Sequence, residues 1–336
     1  MSRSRETPPV DVEAELLEAL PETQGSRFFP WLGRVLGQLL AFLLLAGAVY
    51  ILWREFHDLS PAEVADAIRA WGWDSVAMAL ALSASSFILM GFVEFMGLRW
   101  AGARLPLPSV LLGSFMASAM AHSLGANLLV SGAVRARYYG RMGVSLQQTA
   151  AITVFQSFSF TAGLLALAGV SLLIAGSDEI ARVSQIPVPV ANGIGIALVV
   201  GVAVYITACR FVRGTVRIFG HGVTLPTMPV AAAQIALGAL DNAVAAAILW
   251  VLLPADEVGF ATFVGAFAPS VAIGLASHVP GGVGVFEGAM STLLGGVDPA
   301  ALAAGFLGYR LFFFVIPLAI AGIALALDTL AHRRAA

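Results

Sequence analysis

Long apolar runs separated by short polar breaks dominate the chain. Between charges, the uninterrupted runs are 35–53, 75–93, 105–134, 142–177, 183–209, 218–240 and 258–286. Asp241 divides a further apolar stretch, 218–255, and Arg310 sits inside another, 299–327. A helix needs about 20 predominantly apolar residues to cross the hydrocarbon core of a bilayer. Runs of this length, in this number, predict an all-α polytopic membrane protein. Helices satisfy their own backbone hydrogen bonds, which hydrocarbon demands.

Residues 1–30 differ in kind, with Pro8, Pro9 and Pro21 among the acids Asp11, Glu13, Glu15 and Glu18. They read as a disordered cytoplasmic tail rather than a removable signal peptide, because no short apolar segment with a cleavage site is present. The first span, about 31–53, then acts as an uncleaved anchor. Arginine sorts the remaining loops. Arg27 and Arg34 precede span one, Arg99 and Arg104 follow span two, and Arg210, Arg213 and Arg217 lie in a later loop. Arg333 and Arg334 end the chain, whereas Asp178, Glu179, Asp256 and Glu257 mark acidic loops. The excess of basic residues in cytoplasmic loops puts both termini in the cytoplasm. Segment 62–73 reads as an interfacial amphipathic helix, with Trp71 and Trp73 at the membrane boundary.

That sidedness requires segments 105–143 and 258–298 each to return to the side they left. The charge-free stretch 105–134 is short for two crossings, so both segments are expected to be re-entrant helical hairpins. The expected fold is six full spans plus two hairpins, or up to eight spans, in one transmembrane domain at 31–330. Each half reads span, span, hairpin, span, giving repeat one at about 31–176 and repeat two at about 183–328. Three crossings per half invert one repeat relative to the other, as in secondary transporters. An offset of 156 positions pairs Ser114 with Ser270, His122 with His278, Gly125 with Gly281, Gly132 with Gly288, and Leu146 with Leu302.

The sharpest motif is HVPGGVGVFE at 278–287. Pro280, Gly281, Gly282 and Gly284 break a helix in mid-membrane, and Glu287 lies where it resumes. A half-helix that starts at depth aims its free N–H groups and positive dipole end at a buried site suited to phosphate or carboxylate. Glu287 is equally suited to capping that half-helix. The matching segment, SGAVRARYY at 131–139, places Arg135 nearest the other hairpin, and Arg has the planar fork that grips phosphate. Arg137 and Arg141 fit ordinary positive-inside residues. Glu94, Asp241 and Arg310 are further intramembrane charges, where a partner is expected. Arg310 has two candidate partners, Asp241 and Glu287, and either pair is equally able to fix helix packing. The substrate-binding candidates are Arg135, Arg137, Glu287, Gly281, Gly282, Gly284, Asp241, Arg310, Glu94, His278 and His122.

Composition narrows the chemistry. Hydrophobic residues make up 59% and charged residues 11%, against about a quarter charged in soluble domains. All 18 basic residues are Arg. The single Cys209 leaves no disulfide framework, and no spacing of His or acid suggests a metal. No P-loop, nucleotide fingerprint or catalytic triad is visible, so no enzyme activity and no cofactor are expected. The sparse, membrane-proximal Arg residues give no nucleic-acid footprint.

The motifs at 131–139 and 280–287, with GVS at 143–145 and RW at 99–100, resemble those of the lysylphosphatidylglycerol synthetase transmembrane region family across about 35–330. The family includes the flippase half of multiple peptide resistance factors, which moves aminoacylated phosphatidylglycerol across the bacterial inner membrane. It also includes stand-alone members proposed to handle hopanoid or polyprenyl lipids. The resemblance implies a lipid flippase with Arg135, Arg137 and Glu287 at motif positions. The soluble aminoacyl-transferase domain of the resistance factors has no counterpart in these 336 residues, which loosens the link to an aminoacylated lipid. The implied partners are a membrane lipid, a homo-oligomer or a separate lipid synthase for which the chain would be a non-catalytic membrane partner.

Overall fold

The computed structural model describes residues 61–124, 127–175, 187–212, 215–218, 221–254, 257–277 and 279–335. The expected tail, the first span at 31–53 and His278 lie outside the described residues. The rest is almost entirely helical. Helix α1 (Pro61–Arg69) leads to α2 (Trp73–Trp100), α3 (Leu107–Leu124), α4 (Asn127–Gly140), α5 (Leu146–Ile174) and α6 (Val188–Phe211). A two-stranded antiparallel hairpin, β1 (Thr215–Ile218) and β2 (His221–Thr224), joins α6 to α7 (Met228–Trp250). The apolar run beginning at 218 is therefore not helical from its start: the strands take its first residues. Then come α8 (Phe260–Ala276), a 3₁₀ turn (Pro280–Gly282), α9 (Val285–Leu293), α10 (Pro299–Tyr309), a π-helical segment (Arg310–Val315) and α11 (Ile316–Ala335).

Five described helical stretches are long and apolar enough to cross a membrane: Trp73–Trp100, Leu146–Ile174, Val188–Phe211, Met228–Trp250 and Pro299–Leu330. The surface of α6 fits hydrocarbon, with Val190, Ile194, Ile196, Val200 and Val204 all exposed. Between the long helices lie two pairs of short ones. Helices α3 and α4, of 18 and 14 residues, are about 27 and 21 Å long, and α9 has only nine residues. Helices α3 and α4 pack on each other, as do α8 and α9. The starts of α7, α8, α9 and α10 at Met228, Phe260, Val285 and Pro299 follow those of α2, α3, α4 and α5 at Trp73, Leu107, Asn127 and Leu146 by 155, 153, 158 and 153 positions.

Local chemistry explains where the elements begin. Ser145 Oγ accepts from the Gln148 amide (3.2 Å) while Gln148 Oε1 accepts from the Ser145 amide (3.0 Å), a reciprocal cap that starts α5. Asp298 does the same work alone for α10, accepting from Ala301 N at 2.9 Å. The helix expected over 62–73 is shorter, α1 ending at Arg69 with Trp73 opening α2, and none of its residues is fully buried. Trp73 is 88% exposed. Trp71 instead docks on the protein, donating its indole N–H to the Leu252 carbonyl (3.0 Å) beside Gly308, where a side chain would collide with its ring.

Helix α7 is the hub and packs on α5, α2, α6, α8 and α10. It crosses α5 at Gly163 and Gly238. A Cβ on Gly163 would overlap the backbone of Gly238, and one on Gly238 would overlap the Ser159 carbonyl. Small residues let membrane helices approach closely, and side-chain amides then bond across the seam. Gln234 Nε2 donates to Phe155 O (3.2 Å), and Asn242 Nδ2 donates to Phe160 O (3.1 Å). Because the obstacle at Gly238 is backbone, Gly238→Leu should destabilise the protein by about 3 kcal/mol or more. Gly201→Leu, on an open face of α6 with nothing within 4 Å, should leave it unchanged. Thermal melting of the two purified variants in detergent checks the contrast.

Candidate functional site

The broken helix between α8 and α9 is the chemical centre of the second half. Gly281 (φ 62°), Gly282 (φ 63°) and Gly284 (φ 82°) adopt left-handed backbone that side-chain-bearing residues resist. The break exposes backbone polar groups, and two side chains collect them. Glu287 Oε2 accepts from the Gly284 amide at 2.7 Å, capping α9. Arg310 donates from Nη1 to the Gly281 carbonyl at 2.5 Å and from Nε to Glu287 Oε1 at 2.7 Å. Its Nη2 lies 2.5 Å from the same carboxylate oxygen without the alignment of a hydrogen bond. The guanidinium lies 4.6 Å over the Phe314 ring and 5.9 Å from that of Phe286, a cation–π cradle. Of Arg310's two candidate partners, the structure selects Glu287.

Arg310 opens the π-helical segment, whose wider turns leave carbonyls without their usual partners. Ser83 Oγ on α2 donates to Phe312 O at 2.8 Å, and Ser123 Oγ on α3 lies 3.4 Å from Phe314 O. Helix α3 reaches the break itself. The His122 carbonyl lies 3.6 Å from where a Gly281 Cβ would stand, and Arg310 Nη1 lies 3.3 Å from that point. The end of α3 and the broken helix of the second half thus meet at one place. His122 Nδ1 is buried there without a hydrogen-bond partner, its ring among Phe87, Phe313 and Phe314. Phe87 also lines an apolar cavity of about 330 Å³, together with Leu80, Phe115, Phe312 and Ile320.

A second ion pair is sealed elsewhere. Arg135 grips Glu94 with both arms of its fork, Nε to Oε1 (3.0 Å) and Nη2 to Oε2 (2.8 Å), while Nη1 lies 3.4 Å from Thr153 Oγ1. The Tyr139 hydroxyl donates to Glu94 Oε1 at 2.7 Å and passes α3 at Gly113, where a Cβ would strike its ring. Glu94 is 0% and Arg135 2% exposed. In this conformation Arg135 is committed to Glu94, with no free edge for a phosphate. The pair ties α2, α4 and α5 together. Asp241 stands apart, accepting a 2.5 Å hydrogen bond from Ser86 Oγ. Arg137 on α4 and Arg141 in the turn just after it lie at the surface, bonding Thr329 (2.5 Å) and Asp328 (2.6 Å) of α11.

Of the candidates named from sequence, Glu287, Arg310, Gly281, Gly282, Gly284 and His122 gather at the break. Glu94 joins Arg135, Asp241 pairs with a serine, and Arg137 lies outside both clusters. Ser86, Ser83 and Tyr139 were not among the candidates. Tyr139 had a legible signal, since it follows Arg135 by four residues and so shares its helix face. The two serines had none, because apolar helices carry many. Among the described residues, no group of His, Cys, Asp or Glu is arranged to hold a metal.

Residues 38–321 match the family described as the lysylphosphatidylglycerol synthase TM region. Among curated proteins, the uncharacterised protein slr0712 of Synechocystis sp. is 28% identical over 311 residues, covering 84% of this chain and 96% of its own length. The inner membrane protein YbhN of Escherichia coli is 28% identical over 295 residues, covering 86% of this chain and 91% of its own. Removing one member of a buried ion pair strands the other charge, at about 3–5 kcal/mol. Glu94→Ala and Arg135→Ala should each cost that much, while the double variant should cost far less than the sum. A double-mutant cycle read by thermal melting measures the difference.

Proposed function

We propose that this chain, which belongs to the lysylphosphatidylglycerol synthase transmembrane-region family, is a lipid flippase and not an enzyme. It moves a phospholipid across the bacterial inner membrane, an aminoacylated phosphatidylglycerol or a related anionic lipid. The name of YbhN supports the location, and the Arg-rich loops support cytoplasmic termini. The observation that carries the reading is the convergence at the break. Backbone groups freed by Gly281, Gly282 and Gly284, the Arg310–Glu287 pair and the His122 carbonyl gather where the end of α3 meets the second-half hairpin. An apolar cavity lies behind Phe87. A headgroup needs polar partners at depth, and its acyl chains need hydrocarbon beside them; this place offers both.

The near-constant spacing of helix starts between the halves supports an inverted repeat. The short pairs α3–α4 and α8–α9 are then re-entrant hairpins, and alternating access comes from rocking one repeat against the other. Arg310 has the role of headgroup ligand, released from Glu287 and the Gly281 carbonyl when phosphate arrives. Arg135 holds the first repeat together. A second copy of the chain or a separate lipid synthase would meet it at the exposed apolar helix faces.

Vesicles of phosphatidylethanolamine and phosphatidylglycerol, doped with fluorescent phosphatidylglycerol and exposed to an impermeant quencher, provide the test. The wild type should speed exposure of the inner-leaflet label. Losing a charge-assisted hydrogen bond is worth about 1.5–3 kcal/mol, so Arg310→Ala and Glu287→Gln should slow it roughly ten- to hundredfold at equal protein density. Unchanged rates in both variants, or no acceleration with phosphatidylglycerol, lysyl-phosphatidylglycerol or an isoprenoid phosphate, would falsify the assignment.

A further inference from the structure

Three carboxylates are buried among the described residues: Glu94, Asp241 and Glu287. Two have an Arg partner. Asp241 has none; its hydrogen-bond partner is the Ser86 hydroxyl, at 2.5 Å. A lone carboxyl at membrane depth either carries a proton or draws in a cation. We propose that Asp241 is a proton carrier, binding a proton from one side of the membrane and releasing it to the other as lipid moves. This rests on the flippase reading and supplies its driving force.

The surroundings suit a proton and little else. Helices α5 and α8, which pack on α7, contain no titratable side chain. From α6 come Tyr205, Cys209 and Arg210, with Tyr205 directed at Gln234, nearly two turns from Asp241. On α2, Glu94 is two turns beyond Ser86 and held by Arg135. From α10 and the π segment come Tyr309 and Arg310, the latter already paired with Glu287. A metal cation would need several more oxygen ligands. The proton resides on one carboxylate oxygen while Ser86 continues to donate to Oδ1; the bond made and later broken is that O–H, with water as donor and acceptor.

The position also connects Asp241 to the headgroup site. Ser86 shares a helical turn with Ser83 and Phe87, which line the cavity, and Ser83 holds the π segment through Phe312 O. Tyr309, next to Arg310 in the chain, lies within electrostatic reach of Asp241, Glu287 and Arg310. Charge on Asp241 therefore acts on the helix that carries the headgroup ligand. The crossing at Gly163 and Gly238 fixes α7 on α5, whereas Asp241 meets α2 through the Ser86 hydroxyl.

Two measurements test this. In nanodiscs, infrared difference spectra taken while pH is stepped should show a protonated-carboxyl band that titrates. The band should vanish in Asp241→Asn and persist in Glu287→Gln; a titration identical in wild type and Asp241→Asn overturns the proposal. In the vesicles described above, a proton gradient of one pH unit should change the wild-type rate by up to about tenfold. Asp241→Asn should ignore the gradient, and Asp241→Glu should regain the response, which excludes a mere folding defect. A wild type that moves no labelled lipid under any gradient sinks the flippase reading itself. One that moves lipid at the same rate with and without the gradient leaves that reading standing and overturns the coupling. So does a wild type that moves lysyl-phosphatidylglycerol without gradient response while Asp241→Asn does not, which would make the carboxylate a headgroup ligand.

Discussion

A helix broken by three left-handed glycines strands backbone groups, and the Arg310–Glu287 pair collects two of them. Glu287 takes the Gly284 amide, and Arg310 takes the Gly281 carbonyl. Each side chain also cancels the other's charge. Neither would be stable so buried alone, because an unpaired ion in low dielectric costs several kcal/mol. The glycines, the acid and the arginine are thus one unit spread over 281–310. The unit is complete: Arg310 has a carboxylate and a carbonyl as acceptors, and Glu287 has a backbone amide and the guanidinium as donors.

The Glu94–Arg135 pair is built from the same residue types and does a different job. Its fork is fully engaged, Tyr139 satisfies one carboxylate oxygen further, and both ions are sealed. Nothing polar is left over for a visitor. Arg310, by contrast, remains 18% exposed on its side chain and keeps an Nη2 without an aligned hydrogen bond. Two arginines that look alike in sequence separate by what surrounds them: one locks three helices, the other faces a junction.

Most of the architecture was legible because hydrocarbon imposes a simple rule on spacing. The runs 75–93, 142–177, 183–209 and 299–327 lie in long helices, whereas 105–134 and 258–286 hold shorter ones, and the glycine-rich PGGVG stretch at 280–284 became the break, since Pro and three positive-φ glycines cannot continue a helix. The strands at 215–218 and 221–224 were hidden because the second begins inside the charge-free run that continues into the following helix. Partner choice at the site was only half legible. Arg310 with Glu287 was one of two open pairings, whereas Glu94 with Arg135 joins residues 41 positions apart through helix packing that no local pattern encodes. The close approach of Gly163 and Gly238 was invisible for the same reason: many glycines look alike until two face each other.

The π segment links these points. Its extra residue per turn lets Arg310 leave α10 aimed at the break, and it releases the carbonyls of Phe312 and Phe314 toward Ser83 and Ser123. Those serines belong to α2 and α3, so the first half of the chain holds the arginine-bearing helix of the second half by two hydroxyl bonds near the polar cluster. Hydroxyl bonds within a membrane are worth only about 0.6 kcal/mol on average. The contact is therefore strong enough to set a resting geometry and weak enough to be remade, unlike the glycine crossing of α5 and α7. Rigid and yielding contacts thus divide along structural lines: backbone against backbone inside the α5–α7 core, side chain against carbonyl where α2 and α3 meet the helix carrying Arg310. Movement that exposes the junction should follow the yielding contacts and leave the core intact.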